Sequence, residues 1–344
     1  MQVTRQQVVR EIIKGKAIVQ QESASAYAAS NIALCKYWGK RDIELNLPVT
    51  SSLSISMGNL GAWSSISLSD SKQDEILLNS KVMDHNTIFY QRLVEFLDLF
   101  RPTVDTKFNI FTKTNIAVGA GLASSACGFA ATIKALNNFF DWDLSPVELS
   151  ILARLGSGSA CRSLYDGFVY WQAGSAADGM DSYASRLDYY WPDLRVGIIL
   201  IDGRQKSLTS RDAMQATVET CPYYKLWPDL VAEAIQHTEH ALQHKDFWLL
   251  GATAEANALA MHSLMLSTTP PIIYSQGATL EYMQTVWRAR AEGLGVFFTQ
   301  DAGPNLKLLF LEKDTKKVQQ FFESIEVVAP FATVTESMEC FYAR

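Results

Sequence analysis

The order of apolar and polar positions predicts a chain of mixed helices and strands. Residues 4–20 place Val8, Val9, Ile12 and Ile13 on one side of a short amphipathic helix. Its apolar stripe is short, so it is expected to pack on the body as an N-terminal addition rather than on a membrane or partner. Apolar and hydroxyl residues alternate at 52–57 (SLSISM) and 63–69 (WSSISLS), the period of strands. Residues 87–100 have helical spacing, and 107–112 (KFNIFT) read as a strand. A Gly/Ala/Ser-rich turn at 117–128 runs into an apolar helix. Ser145-Pro146-Val147-Glu148 is a capping box with proline at the first helical position, so a helix starts there and ends near Gly156.

Residues 195–201 (RVGIILI) form a nearly continuous apolar run, the mark of a strand buried on both faces. Trp191-Pro192-Asp193 before it are turn residues, which places a division near 190. The expected parts are a helical extension (1–24), an N-terminal domain (25–190) and a C-terminal domain (191–344). In the last part, helices are expected at 228–249, 252–266 and 278–292, and strands at 294–299, 306–311 and 330–336. Helices and strands mixed in both halves indicate α+β rather than a doubly wound parallel sheet.

Composition sharpens this picture. A length of 344 residues suits two domains, and 48% hydrophobic residues can fill their cores. The formal net charge of -6 and the lack of a basic arm argue against a nucleic-acid or membrane-surface protein. Cysteines at 35, 127, 161, 221 and 340 are odd in number and lack a Cys-x-x-Cys, which fits free thiols in a reducing compartment. Arg5, Arg10, Lys14 and Lys16 interrupt any signal-peptide-like run, and no apolar stretch reaches the length of a membrane span. A cytoplasmic protein is the expectation.

Candidate chemistry gathers in five segments. In the first, Asn31 to Asp42, three cations (Lys36, Lys40, Arg41) fall within six positions beside Tyr37, Trp38 and Gly39. A solvated basic turn and a local anion site in an acidic protein both fit this cluster taken alone. The second is Gly119-Ala120-Gly121-Leu122-Ala123-Ser124-Ser125, whose glycines and serines suit either a phosphate at a helix N-terminus or tight helix packing. It is neither a Walker loop nor a dinucleotide fingerprint. The third, Gly156-Ser157-Gly158-Ser159-Ala160-Cys161-Arg162, adds an arginine fork to hydroxyls, and the fourth, Lys206 to Met214, flanks Thr209-Ser210 with Lys206 and Arg211. The fifth, Asp301-Ala302-Gly303-Pro304-Asn305, reads as a turn unless the lysines of the first segment lie near Asp301. His237, His240 and His244 are expected on a solvated helix face rather than in a metal site.

In this order the segments resemble the GHMP small-molecule kinase superfamily and, within it, the diphosphomevalonate decarboxylases. The resemblance runs over about residues 25–310, and residues 1–24 have no counterpart in it. It implies a two-domain α+β fold with the active site in the cleft between domains. It also implies an ATP- and Mg2+-dependent phosphorylation and decarboxylation of 5-diphosphomevalonate, an isoprenoid precursor, and a homodimer. Carried over, Asp301 is the base or orienter of the 3-hydroxyl, an unpaired carboxylate able to stabilise positive charge. Lys36 is its cationic neighbour, and Arg162 holds the substrate carboxylate. Asn31, Tyr37, Lys40, Ser157, Ser159, Ser210 and Arg211 bind the substrate. Gly119, Gly121, Leu122, Ala123, Ser124 and Ser125 cradle the ATP phosphates, with Ser125 the candidate contact for magnesium.

The sequence departs from the family pattern at Ala117, Thr50, Asp166, Tyr170, Thr209 and Ala213. Asp166 follows Arg162 by four residues and would compete for it if the stretch were helical. A monophosphate or 3,5-bisphosphate decarboxylase, a mevalonate 3-kinase and a non-catalytic ATP-binding sensor are the rival readings. Asp301, Lys36 and Arg162 together favour decarboxylation.

Overall fold

The computed structural model describes residues 3–16, 20–116, 124–204 and 208–332. The elements of the first half are α1 (Arg5–Ile13), β1 (Ser23–Cys35), β2 (Lys40–Asp42), β3 (Leu47–Pro48), β4 (Ser52–Leu68), β5 (Glu75–Leu78), β6 (Lys81–Val82), α2 (Ile88–Leu97), β7 (Phe108–Thr114), α3 (Ser124–Phe140), α4 (Pro146–Gly156), β8 (Phe168–Trp171) and β9 (Ala184–Arg186). Those of the second half are β10 (Leu194–Ile199), α5 (Ser210–Thr220), α6 (Trp227–His244), α7 (Phe247–Leu266), α8 (Gly277–Ala291), β11 (Val296–Gln300), β12 (Leu306–Leu311), α9 (Thr315–Phe321) and β13 (Glu326–Val328). The α+β expectation holds.

The long strand β4 organises the first sheet. Ser52–Leu68 is continuous where the alternation suggested two separate strands. It pairs with β1 along its length, with β8 at one end and with β7 at the other. Leu53, Ile55 and Met57 join a core with Trp227 and Val231 of α6, so the sheet packs on helices of the second half. The hydroxyl face is buried too: Ser52, Ser54 and Ser56 are at most 1% exposed. Alternation therefore marked two different buried environments, not one dry face and one wet face. The second sheet runs β11-β12-β10-β13, and its central β10 is apolar because it is covered on both sides.

Local rules explain several boundaries. The Ser145 capping box forms, with Ser145 Oγ accepting from Glu148 N and Glu148 Oε2 accepting from Ser145 N at 2.7 Å. Such a cap contributes about 1 kcal/mol to helix stability. Helix α1 is capped by Thr4 and Gln7 and buries Val8, Val9 and Ile12 against the core of the first half. It stops at Ile13 rather than running on towards residue 20, and Gly15 at φ +74° turns the chain. The break between α6 and α7 falls at Lys245, in the left-handed region, and the Asp246 cap, earlier than the spacing suggested. The last described strand lies at 326–328, not 330–336; residues 333–336 lie outside the described residues.

Candidate active site

Lys36 sits just beyond β1, and Asp301 just beyond β11, 265 residues apart in sequence. Lys36 is 2% exposed. Its backbone N–H donates to Asn257 Oδ1 at 2.7 Å, and its Nζ donates to the Ala33 carbonyl at 2.9 Å and Asp301 Oδ1 at 2.7 Å. A second lysine, Lys307 on β12, lies 3.1 Å from the other carboxylate oxygen. Asp301 is thus paired twice, which corrects its expectation as an unpaired carboxylate. Burial alone would raise its pKa, but Lys307 and Lys36 outweigh burial and hold it well below the usual carboxylate range. The turn around it is pinned. Gln300 Nε2 donates to the Gly303 carbonyl at 2.8 Å, and Asn305 Oδ1 accepts from the backbone of Ile201 and Asp202. His262, pushed down to about 4 by burial and then by Lys36, is neutral and donates Nε2–H to the Asp301 carbonyl at 3.2 Å.

Arg162 belongs to a 3-10 helix, Gly158–Leu164, and is 3% exposed. Its Nη1 donates to Ser52 Oγ at 2.6 Å and its Nε to Asn31 Oδ1 at 3.2 Å. Asn31 Nδ2 in turn donates to Ser163 Oγ at 2.7 Å. Asn31 thus braces the arginine against β1. Asp166 does not compete for Arg162. The 3-10 helix ends at Leu164, so the four-residue spacing never becomes one helix face, and Asp166 is exposed, with Lys134 as its charged neighbour.

The first segment forms the floor of the cavity. Gly39 has φ +105°, and a Cβ there would overlap the hydroxyl of Tyr224, which donates to the Trp38 carbonyl. Tyr37 stands edge-on to Trp171 with ring centroids 4.8 Å apart. A Cβ on Gly158 would meet its hydroxyl at 2.8 Å, so glycine is required at that approach. The Tyr37 hydroxyl is buried without a protein partner, and burial pushes its pKa up, so it remains a protonated donor in the cavity wall. Lys40 on β2 donates to Asn46 Oδ1 at 2.6 Å, and Asn46 Nδ2 donates to the Arg154 and Leu155 carbonyls at the end of α4. Burial, then Arg211 and Arg92, push the Lys40 pKa down to about 7.

One cavity of about 370 Å³ collects these groups. Asn31, Lys36, Tyr37, Lys40, Ser157, Ser159, Arg162, Ser210, Arg211 and Asp301 all line it, as do Ser124 and Ser125 at the start of α3. Gly119, Gly121, Leu122 and Ala123, and Lys206 of the fourth segment, lie outside the described residues. Ser210 and Arg211 begin α5, capped by Thr209, where only a loop was expected. Arg41 is exposed and binds the Ala173 and Ala176 carbonyls instead of facing the cavity. His237, His240 and His244 lie on an exposed face of α6. Sequence reasoning missed Lys307, Ser52, Asn46 and Arg92. Asn46 and Ser52 stand in the stretches Leu45–Pro48 and Ser51–Ser54 that continue the first segment of the resemblance but drew no role, and a lysine inside the apolar strand LKLLFL was a readable signal of its own.

A buried, multiply cationic cleft lined by serines and centred on one ionised carboxylate defines an anion-handling α+β enzyme of the GHMP-kinase-like class. Comparison with known proteins narrows this. Residues 28–184 match the family model of the diphosphomevalonate decarboxylase-like N-terminal domain, and residues 196–342 match the mevalonate 5-diphosphate decarboxylase C-terminal domain. The diphosphomevalonate decarboxylase of Aspergillus fumigatus is 36% identical over 323 residues, covering 88% of this chain and 80% of that protein. That of Danio rerio is 36% identical over 326 residues, with 88% and 80% covered. The mevalonate diphosphate decarboxylase of Staphylococcus aureus superposes with a TM-score of 0.85 at 33% identity, covering 91% of this chain and 96% of that one. MDDEF in complex with MVAPP, AMPPCP and magnesium superposes with a TM-score of 0.84 at 36% identity, with 89% and 96% covered. The chain belongs to the diphosphomevalonate decarboxylase family.

Proposed function

We propose that this protein converts 5-diphosphomevalonate and ATP into isopentenyl diphosphate, ADP, phosphate and carbon dioxide. The observation that carries this reading is the Lys36–Asp301–Lys307 cluster sharing a cavity with Arg162 and the serine loops. The γ-phosphoryl of ATP passes to the substrate 3-oxygen. The C3–O bond then breaks with its electron pair leaving on phosphate. The pair of the bond between C2 and the carboxyl carbon becomes the C2=C3 double bond as carbon dioxide departs. The hydroxyl proton ends on the released phosphate.

The side chains suit this sequence. Asp301 is too well stabilised as an anion to keep a proton, so its part is to accept a hydrogen bond from the 3-hydroxyl and orient it. Its negative charge also opposes the positive character that develops at C3. Arg162 holds the substrate carboxylate with its planar fork. Tyr37, Lys40, Ser157, Ser159, Ser210 and Arg211 bind the diphosphate, and Ser124 and Ser125 face the ATP phosphates. Magnesium bound with ATP would supply charge neutralisation here. The cavity's carboxylate is already held by two lysines, so among the described lining residues the hard oxygen donors that remain are hydroxyls, with Ser125 the candidate.

The reading includes a division near residue 190, with residues 1–24 as an extension. It is supported by the two larger sheets, one in each half, and by family matches that end at 184 and begin at 196. A cytoplasmic location is supported by the buried free thiols of Cys35, Cys127, Cys161 and Cys221, and no described helix is long and apolar enough to cross a membrane. A homodimer rests on family resemblance alone. The test is a paired assay of ADP and carbon dioxide with mevalonate, its 5-phosphate, its 5-diphosphate and its 3,5-bisphosphate. Equal release of both products with the 5-diphosphate is expected. ADP without carbon dioxide would replace decarboxylation by simple kinase action.

A further inference from the structure

Lys36 and Asp301 each stand one residue beyond the last paired position of a strand. The pairing of β1 ends at Cys35 opposite Leu53, and that of β11 at Gln300 opposite Leu306. Past those points the ladders no longer supply backbone partners, and others must. For both residues a side chain of α7 does so. The Lys36 N–H donates to Asn257 Oδ1 at 2.7 Å, and His262 Nε2–H donates to the Asp301 carbonyl at 3.2 Å. That carbonyl also accepts from Gly303 N inside its own turn, at 2.7 Å.

Helix α7 packs on both strands: Leu250, Ala254 and Met261 share a buried cluster with Ile32 and Leu34 of β1 and Phe297 of β11. Polar side chains buried there are costly unless hydrogen-bonded. Glu255 is taken up by Arg290 and by Trp287 Nε1 of α8. Asn257 and His262, 4% and 9% exposed, are spent on the two strand ends instead. Burial and the charge of Lys36 keep His262 neutral, so it adds a donor to the Asp301 backbone without a further charge. Met261 lines the cavity, whereas Asn257 and His262 do not. They stand behind the reacting groups.

We infer that Asn257 and His262 are positioning residues. From one helix they fix the backbones of Lys36 and Asp301, and so the orientation in which ammonium and carboxylate meet the substrate 3-hydroxyl. The inference rests on the proposed function. The ion pair alone restrains only the side-chain tips, because a flexible four-carbon stem can reach one carboxylate from many backbone positions. Anchoring the backbones removes that freedom, and a misplacement of about 1 Å can cost about 100-fold in rate.

The test compares wild type with Asn257→Leu and His262→Phe, which remove acceptor and donor at similar size, and with Asn257→Asp and His262→Gln, which restore them. On the 5-diphosphate each loss variant should lower kcat by about tenfold with KM nearly unchanged, and each restoring variant should recover most of it. In an Asp301→Asn background, followed in single turnover, the same losses should shrink to less than about twofold, because the group they position is gone. An equal loss in both backgrounds, a change confined to KM, or unchanged kcat overturns the inference. If His262→Phe does not fold, His262→Asn, whose shorter amide falls short of the carbonyl, takes its place. If wild type is inert on the 5-diphosphate, the decarboxylase reading fails, and carbon NMR of the labelled Asp301 carboxyl decides the positioning. A signal displaced in both loss variants and recovered in the restoring ones supports it, and an unmoved signal in either overturns it.

Discussion

The two ends of the cavity treat charge in opposite ways. Around Asp301 the charges are joined inside the protein: Lys36 and Lys307 each take one carboxylate oxygen, and Arg162 is braced by Ser52 and Asn31. At the other end Lys40, Arg92 and Arg211 line the same wall, and burial, helped by repulsion from the two arginines, pulls the Lys40 pKa down to about 7. The first end is built before substrate arrives and can orient a reacting group without rearrangement. The second makes no ion pair with a carboxylate among the described residues, and cations clustered in this way attract an anion. Internal pairing thus suits positioning, and clustered cations suit the binding of an anion.

The largest expected effect breaks the paired end. Asp301→Asn should lower turnover by about 1,000-fold, on the scale of removing a proton-handling or transition-state group, while leaving ATP affinity nearly intact. It also leaves Lys36 and Lys307 without their anion, so unfolding should show a loss of about 3 kcal/mol. Near-normal turnover would remove Asp301 from the chemistry. Next, Arg162→Ala should reduce kcat/KM for the diphosphate ester by about 10- to 100-fold, the worth of a charged hydrogen bond. Unchanged kinetics would take Arg162 out of the site.

The cluster at the other end should reveal itself through pH. Lys40 with a pKa of about 7 is increasingly neutral above that pH in the free protein, whereas an anion holds it charged. Substrate binding should then take up a proton, and affinity should fall by up to about tenfold per unit as pH rises above 7. Lys40→Arg should flatten that slope, because arginine stays charged. The free fold moves the other way. A lysine depressed in the folded state makes the unfolded chain the better proton binder, so its contribution to stability improves as pH rises from 7 towards its ordinary value. A flat affinity profile in wild type would show that Lys40 meets no anion. The smallest change is Gly158→Ala, whose new methyl presses on the Tyr37 hydroxyl. It should destabilise the fold by about 1 kcal/mol and raise KM.

Much of the site was legible because its chemistry is tied to residue types in short runs. Segments around Lys36, Ser124, Arg162, Ser210 and Asp301 all reach one cavity. Arg41, to which the resemblance gives no role, faces away. The Lys307 ammonium escaped because an isolated lysine in an apolar strand gives no sign of which face it occupies or what waits there. Arg92 escaped because nothing local separates a cavity-facing arginine from a solvated one on an amphipathic helix. The join of 52–57 to 63–69 escaped because Gly58 and Gly61 look like turn residues, although the strand continues through them.

The sequence by itself determined the local events. These are the capping box at Ser145, the glycines that permit close approach at Gly39 and Gly158, the doubly covered strand β10, and the candidate motifs. Each depends on backbone sterics or on neighbours a few residues away. Only the tertiary structure decided which charges meet. Asp301 is held by lysines from two different strands' ends, Arg162 is braced by β1 and β4, and Lys40 is pressed by α2 and α5. Coulomb forces and burial depend on distance in space, and pairs hundreds of residues apart acquire that distance only when the chain has packed.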